Sequence, residues 1–87
     1  NIKNKIVFLI IPYNFQTNKE NCDNDDLPEK IIKETLKSKK FSFISLKKEF
    51  CLTNNSNKLY LRYDPAHLSL LGHNVVAKYL LKSAKIQ

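Results

Sequence analysis

An uninterrupted apolar run near the start of the chain constrains the fold more than any other feature. Residues 5–13 read Lys-Ile-Val-Phe-Leu-Ile-Ile-Pro-Tyr, without the alternation that marks a strand with one exposed face. Continuous β-branched and aromatic runs are typical of strands that are buried on both faces of a parallel sheet covered by helices. Pro12 has no N–H to donate to a ladder, so it marks the end of the strand. The run therefore predicts a strand of an α/β fold.

The next part of the chain is predicted to be a loop, a helix and a second strand. Residues 14–26 are polar and rich in Asn and Asp, which predicts a loop. Pro28 and Glu29 are helix start signals, and the helix should end near residues 38–40. Its apolar stripe consists of Leu27, Ile31, Ile32 and Leu36. Residues 41–46 have the composition of a short strand, and two strands joined by a crossover helix are parallel.

A further helix is predicted at the end of the chain. Residues 47–57 have no periodicity and predict an exposed loop, and residues 58–63 predict a brief extended stretch. Apolar residues at helical spacing then predict a helix from near Ser69 to about Ser83. Its apolar face consists of Leu68, Leu71, Val75, Val76, Tyr79 and Leu80. Two strands and two helices cannot seal a doubly wound sheet, and the chain has no methionine, so we expect the 87 residues to be a segment of one longer domain.

The positive charge of the chain favours a solvated surface, and a small basic nucleic-acid binder is the less favoured alternative because no recognition motif of that class is present. The formal net charge is +7, but the lysines, Lys47 and Lys48 among them, are scattered over predicted helix ends and loops. Lysine is favoured in such solvated positions, so we interpret these charges as surface charges. Arg62 is the one arginine, and arginine is the usual reader of bases. Residues 6–11, the longest apolar run, are far fewer than the roughly 20 that span a membrane.

The segment Asp64-Pro65-Ala66-His67 places an acid three residues before a histidine. A catalytic imidazole needs one ring nitrogen towards the nucleophile and the other held by an acceptor, which fixes the tautomer and stabilises the imidazolium. A short turn stiffened by Pro65 can bring the two side chains together. The turn follows the last predicted strand region, near the sheet edge where open α/β folds bind ligands. On spacing alone, a capping Asp64 and a packed His67 are the alternative interpretation.

The residues around this turn resemble a block of a known family. Residues 63–77 are similar to the last conserved block of SGNH/GDSL hydrolases, Asp-x-x-His-Leu/Pro-Ser/Asn/Thr-x-x-Gly-His-x-x-x-Ala. The resemblance implies the C-terminal part of a flavodoxin-like three-layer α/β sandwich with a parallel sheet, incomplete in this chain. It implies that His67 is the general base and Asp64 its orienting acid. The family's Gly-Asp-Ser nucleophile motif and its oxyanion-hole residues have no counterpart in the 87 residues.

The resemblance implies a serine ester hydrolase that forms an acyl-enzyme and needs no metal or organic cofactor. Its substrate would be a small-molecule, lipid or carbohydrate ester, with the nucleophilic serine supplied from outside this chain. Acyl transfer to a carbohydrate, and a binding or structural module that has lost its nucleophile, are the alternatives. Within the block we expect Ser69 to cap a helix, Gly72 to allow close packing and His73 to be structural. Tyr60 and Tyr63 are expected in the core or at the rim of a cleft.

Cys22 and Cys51 lie in the loops predicted after the first and second strands, without metal-ligand spacing. If the strands are parallel, both loops leave the sheet at the same edge, so a disulfide is geometrically feasible. A disulfide would imply an extracytoplasmic protein. Two free thiols are the favoured interpretation from the sequence, and the localisation stays open.

Overall fold

The computed structural model describes residues 6–24, 26–53 and 55–86. The elements are β1 (Val7–Ile10), a 3-10 turn (Asn14–Thr17), α1 (Lys19–Asp23), α2 (Leu27–Ser38), β2 (Ser42–Ser45), α3 (Lys47–Cys51), a second 3-10 turn (Ser56–Leu59) and α4 (Leu70–Ile86). Within these residues, no helix has the length and apolar character needed to cross a bilayer.

The two strands form a parallel pair, as the sequence predicts. Phe8 lies opposite Phe43 and Ile10 lies opposite Ser45 in the register of β1 and β2. Since α2 connects the strands, the unit is a strand–helix–strand crossover. The predicted α/β class is therefore confirmed, in the form of a two-stranded parallel sheet with helices.

Helices lie on both faces of this sheet. Leu9 packs against a buried cluster, and α4 contributes Val75 and Tyr79 to the same packing. The cluster consists of Leu46, Phe50, Leu59 and Tyr60. On the opposite face the Ser45 hydroxyl donates a hydrogen bond to the carboxylate of Glu29 in α2. Because successive side chains of a strand alternate between faces, α2 and α4 lie on opposite sides of the sheet.

Helix α2 begins and ends where the sequence predicts, but its apolar stripe is not buried. The Asp26 side chain accepts a hydrogen bond from the Glu29 N–H at 2.9 Å and caps the first turn. Leu27 and Ile31 are 66% and 51% exposed, whereas Glu29 is 1% exposed. The expected burial of the stripe is wrong for Leu27, Ile31 and Ile32, because α2 meets β2 on the side that carries Glu29.

Two segments predicted as loops contain short helices. Residues 14–26 include the first 3-10 turn and α1, and residues 47–57 include α3. In α3 the side chains of Lys47 and Phe50 are buried, so the prediction of an exposed, solvated segment is wrong for them. A five-residue helix is too short to display a hydrophobic period, so the polar composition of these segments led to the prediction of loops.

Strand β1 is shorter and less covered than the sequence predicts. It spans Val7–Ile10, and the predicted start at Lys5 falls outside the described residues. Ile10 is buried, but Val7 and Phe8 are 46% and 40% exposed. Burial on both faces is thus confirmed only at the end of the strand. Among the described strands, β2 is the one neighbour of β1, so the other edge of β1 is unpaired.

Helix α4 starts as predicted and fits closely against the second 3-10 turn. The Ser69 hydroxyl accepts a hydrogen bond from the Gly72 N–H at 3.2 Å, which confirms the predicted cap. A Cβ on Gly72 would lie 2.1 Å from the carbonyl oxygen of Leu59, so the predicted close packing is also confirmed. The helix continues to Ile86, three residues beyond the predicted end.

Candidate active site

The turn that carries Asp64 and His67 is fixed to the carboxyl end of β1. The Asn14 N–H donates a hydrogen bond to the Pro65 carbonyl at 2.9 Å. The buried hydroxyl of Tyr60 donates to the Pro12 carbonyl at 2.5 Å. Both contacts join the segment after β1 to the segment around the turn. The turn therefore lies at the carboxyl edge of the sheet, as the sequence predicts.

The turn is closed by its own backbone. The Leu61 N–H donates to the His67 carbonyl at 2.9 Å, and the Asp64 N–H donates to the Leu61 carbonyl at 3.0 Å. Tyr63 has φ 62°, in the left-handed region that residues other than glycine seldom adopt. Such a conformation costs on the order of 1 kcal/mol and persists where surrounding contacts hold it. The strained residue directly precedes Asp64, as is common where a side chain is held for function.

Asp64 and His67 form a hydrogen-bonded pair. The imidazole Nδ1 lies 2.8 Å from Asp64 Oδ2. The other carboxylate oxygen, Oδ1, accepts hydrogen bonds from the N–H groups of Ala66 and His67, each at 3.0 Å. The backbone hydrogen bonds thus hold the carboxylate in place independently of its contact with the imidazole. Because Nδ1 is held by Asp64, Nε2 is the nitrogen that can take a proton from a nucleophile.

The electrostatics of the pair suit a general base. The backbone N–H groups of Ala66 and His67 hold the pKa of Asp64 below its usual value, so this carboxyl is ionised near neutral pH. An ionised carboxylate at Nδ1 stabilises the imidazolium that forms when Nε2 accepts a proton. The His67 side chain is 77% exposed and Asp64 is 34% exposed. The ring is therefore open to a reacting group.

Two open cavities flank the turn. One, of about 550 Å³, is lined by Ile11, Tyr13, Leu61, Ala66, His67, Leu68 and His73. The other, of about 510 Å³, is lined by Asn14, Asn57, Leu61, Arg62, Tyr63, Asp64 and Pro65. Tyr63 thus lines a cleft beside the acid, whereas Tyr60 is a core residue with 3% exposure.

Ser69 is occupied by structural hydrogen bonds. Its hydroxyl donates to the Lys58 carbonyl at 2.5 Å and accepts from the Gly72 N–H. His73 lines the same cavity as His67. The sequence predicted a structural role for His73 and did not place it beside the candidate base. Among the described residues, no three His, Cys, Asp or Glu side chains come together to hold a metal ion.

A buried ion pair joins the segment before α2 to the start of α3, and the sequence did not reveal it. Lys47 Nζ lies 2.6 Å from Asp26 Oδ2 and donates to the Asn24 carbonyl at 3.0 Å. Burial raises the pKa of Asp26, but the hydrogen bond from Lys47 and the contacts of Glu29 N–H and Gln16 outweigh it, and the pKa is lowered. Asp26 carried a helix-start signal; Lys47 carried none, because it resembles the surface lysines around it.

Cys22 and Cys51 form a disulfide that joins α1 to α3, with their Cα atoms 5.8 Å apart. The interpretation of two free thiols is therefore wrong. The helices emerge at the same edge because β1 and β2 are parallel. The sequence alone showed that this geometry allows a disulfide, but it did not decide between a disulfide and two free thiols.

Comparison with protein-family models, with curated proteins and with solved structures finds no match to this chain. The geometry of the turn and the resemblance of residues 63–77 to the SGNH/GDSL block are therefore the two features that indicate a function.

Proposed function

We propose that this chain belongs to a serine ester hydrolase of the SGNH/GDSL type and supplies the general base His67 and its orienting acid Asp64. The observation that carries the proposal is the 2.8 Å contact between Asp64 Oδ2 and His67 Nδ1, with Asp64 Oδ1 held by two backbone N–H groups. A local Asp-x-x-His turn of this geometry is what the resemblance requires of the acid–base half of a catalytic triad.

The proposed fold is the C-terminal part of a flavodoxin-like three-layer sandwich. Two parallel strands with α2 and α4 on opposite faces support it, together with the edge of β1 that has no partner among the described strands. A further parallel strand at that edge, with its crossover helix, would add cover to Val7 and Phe8, which are exposed here. In this arrangement the nucleophilic serine and the oxyanion-hole donors come from outside the 87 residues.

The chemistry then follows the ordinary course of acyl transfer. His67 Nε2 takes the proton of the serine hydroxyl as its oxygen attacks the ester carbonyl, and the imidazolium passes that proton to the leaving alcohol. The acyl-enzyme is opened by water, whose proton goes to Nε2 and returns to the serine oxygen as the carboxylic acid leaves. If a sugar hydroxyl replaces water, the product is a new ester, so acyl transfer uses the same residues.

The test is the substitution His67→Ala in the whole protein that contains this chain. Hydrolysis of p-nitrophenyl acetate should fall by about 10⁴-fold, because the base is lost. Far-ultraviolet circular dichroism and the melting temperature should not change, since the ring is largely exposed. Lys78→Ala, an exposed change on α4, is the matched control and should keep full turnover.

Two results would contradict the proposal. Turnover that survives His67→Ala would remove the base assignment. A folded whole protein that hydrolyses no ester would instead indicate a binding or structural module that keeps the turn without the chemistry.

A further inference from the structure

The cavity of about 550 Å³ beside His67 has an apolar character that the turn itself does not require. Four of its seven lining residues are Ile11, Leu61, Ala66 and Leu68, and the others are Tyr13, His67 and His73. Ile11 and Leu61 are 38% and 51% exposed although both are large hydrophobic residues. Exposed apolar side chains gathered in a concavity mark a ligand site more often than they mark bare surface.

The lining of this cavity contains no lysine, arginine or carboxylate. It differs from the larger cavity of about 750 Å³ near the disulfide, which is lined by Lys33, Lys47, Lys48 and Asp23 among others and does not include His67. The apolar cavity is therefore suited to an uncharged hydrocarbon group, and it is the one with the imidazole in its wall.

The second cavity beside the turn has a different chemistry. Asn14, Asn57 and Arg62 contribute amide and guanidinium groups there, and Asp64 forms part of the wall. Leu61 lines both cavities, so the two adjoin at this residue. An ester has two unlike sides, an acyl chain and an alcohol, and the two cavities offer an apolar and a polar environment beside the same turn.

We infer that the apolar cavity binds the acyl chain of the substrate, and that the preferred substrate is an ester of an acyl group longer than acetyl. This inference rests on the proposed function, since it assigns the acyl side of the same site. Tyr13 and Leu61 are the specificity-determining residues, because both are large, more than half exposed and in the lining. The polar cavity takes the alcohol.

The experiment uses the whole protein and p-nitrophenyl esters from acetyl to octanoyl. Burial of each added methylene should raise kcat/KM about fourfold until the cavity is filled. Leu61→Asn should lower the ratio of kcat/KM for the octanoyl ester to kcat/KM for the acetyl ester about tenfold. Leu52→Asn is the matched control, because Leu52 is 71% exposed and lines the cavity near the disulfide. It should leave the whole series unchanged.

The outcomes separate this inference from the proposed function. Acetyl ester hydrolysis with a flat or falling dependence on chain length would overturn the acyl-chain assignment and leave the hydrolase proposal standing. An equal loss on acetyl and octanoyl esters in Leu61→Asn would do the same, since the residue would then act on the turn and not on the acyl chain. A whole protein that cleaves none of the esters would overturn both.

Discussion

At the scale of single residues, Asp64 has two separate tasks that its two oxygens divide between them. Oδ1 accepts the N–H groups of Ala66 and His67, which shapes the turn, and Oδ2 contacts the imidazole. A substitution can therefore remove one task and keep the other. This separation makes Asp64 a sharper probe of the mechanism than His67.

Asp64→Asn should keep the turn and lose the base. The amide oxygen can still accept the two N–H groups, but an NH₂ group facing Nδ1 favours the wrong imidazole tautomer. We expect kcat for ester hydrolysis to fall by about 10³- to 10⁴-fold with an unchanged melting temperature. A wild-type rate in Asp64→Asn would show that the carboxylate does not orient the ring for catalysis.

Gly72 is a second residue whose role can be isolated. Alanine is favoured over glycine within a helix by about 1 kcal/mol, so Gly72→Ala would stabilise α4 if propensity decided the outcome. The added Cβ would instead lie 2.1 Å from the Leu59 carbonyl oxygen, and α4 or the 3-10 turn must move. We expect a net loss of about 2 kcal/mol in urea unfolding.

Asn74→Ala, an exposed change on the same helix, is the control for Gly72→Ala and should gain a few tenths of a kcal/mol. A stabilised Gly72→Ala would mean that the close approach of α4 to Leu59 relaxes without cost.

At the scale of elements, the start of α2, the end of β2 and the start of α3 are joined through buried polar groups. Asp26 caps α2 and pairs with Lys47 at the start of α3. Gln16 also donates to Asp26 Oδ1 at 2.8 Å, which ties in the first 3-10 turn. Asp26 and Lys47 side chains are 6% and 10% exposed, so the pair is largely shielded from solvent. These contacts lie between α1 and α3, the two helices that the disulfide of Cys22 and Cys51 joins.

Asp26→Asn should destabilise the fold in a pH-dependent way. The native pKa of Asp26 is lowered from 3.8, so its contribution to stability is complete above about pH 4. The contribution is lost as the pH falls from 3.8 through the lower native value, because the unfolded chain takes up the proton first. At pH 7 we expect Asp26→Asn to cost about 2 kcal/mol in urea unfolding.

The difference in unfolding free energy between wild type and Asp26→Asn should shrink as the pH falls below about 4. A difference that stays constant down to pH 2 would show that Asp26 acts through its shape and hydrogen-bonding geometry and not through its charge.

The elements that sequence could predict are those with a pattern long enough to read. The apolar run of β1, the caps of α2 and the spacing of α4 each extended over several residues, and all three elements are present. Helix α3 has five residues and the partner of Lys47 lies 21 residues away, so neither leaves a local pattern. The Asp64–His67 pair was predictable because it is local. The cavity beside His67 was not, because Ile11 and Tyr13 after β1 line it together with the turn and with His73 of α4.

At the scale of the whole molecule, the disulfide closes a loop that includes α2 as well as Leu46 and Phe50 of the core. The buried cluster of Leu46, Phe50, Leu59 and Tyr60 lies on the α4 side of the sheet. Cys22 to Cys51 closes a sequence separation of 29 residues that includes α2 and β2. The bond therefore encloses the α2 layer, whose apolar stripe has little cover among the described residues. Covalent closure thus constrains α2, whose apolar stripe is largely exposed, together with two of the four core residues.

Replacement of both cysteines by serine should lower the free energy of unfolding by about 3 kcal/mol, since a loop of this length loses that much conformational entropy when closed. Thermal or urea unfolding measures the loss, and reduction of the wild type with dithiothreitol should produce a similar one. Equal stability of the oxidised and reduced wild type would mean that the bond adds nothing to the polar contacts around Asp26.

The local closure of the Asp64–His67 turn has a consequence for how the protein folds. Contacts three residues apart form far faster than the pairing of β1 with β2, which must close a long loop first. The contact between Asp64 and His67 can therefore form quickly once the hydrogen bonds from Asn14 and Tyr60 hold the turn at the end of β1. Variants that weaken the sheet or the disulfide should lower the folded fraction while each folded molecule keeps its full rate constant, so that loss of activity in such variants reports abundance and not chemistry.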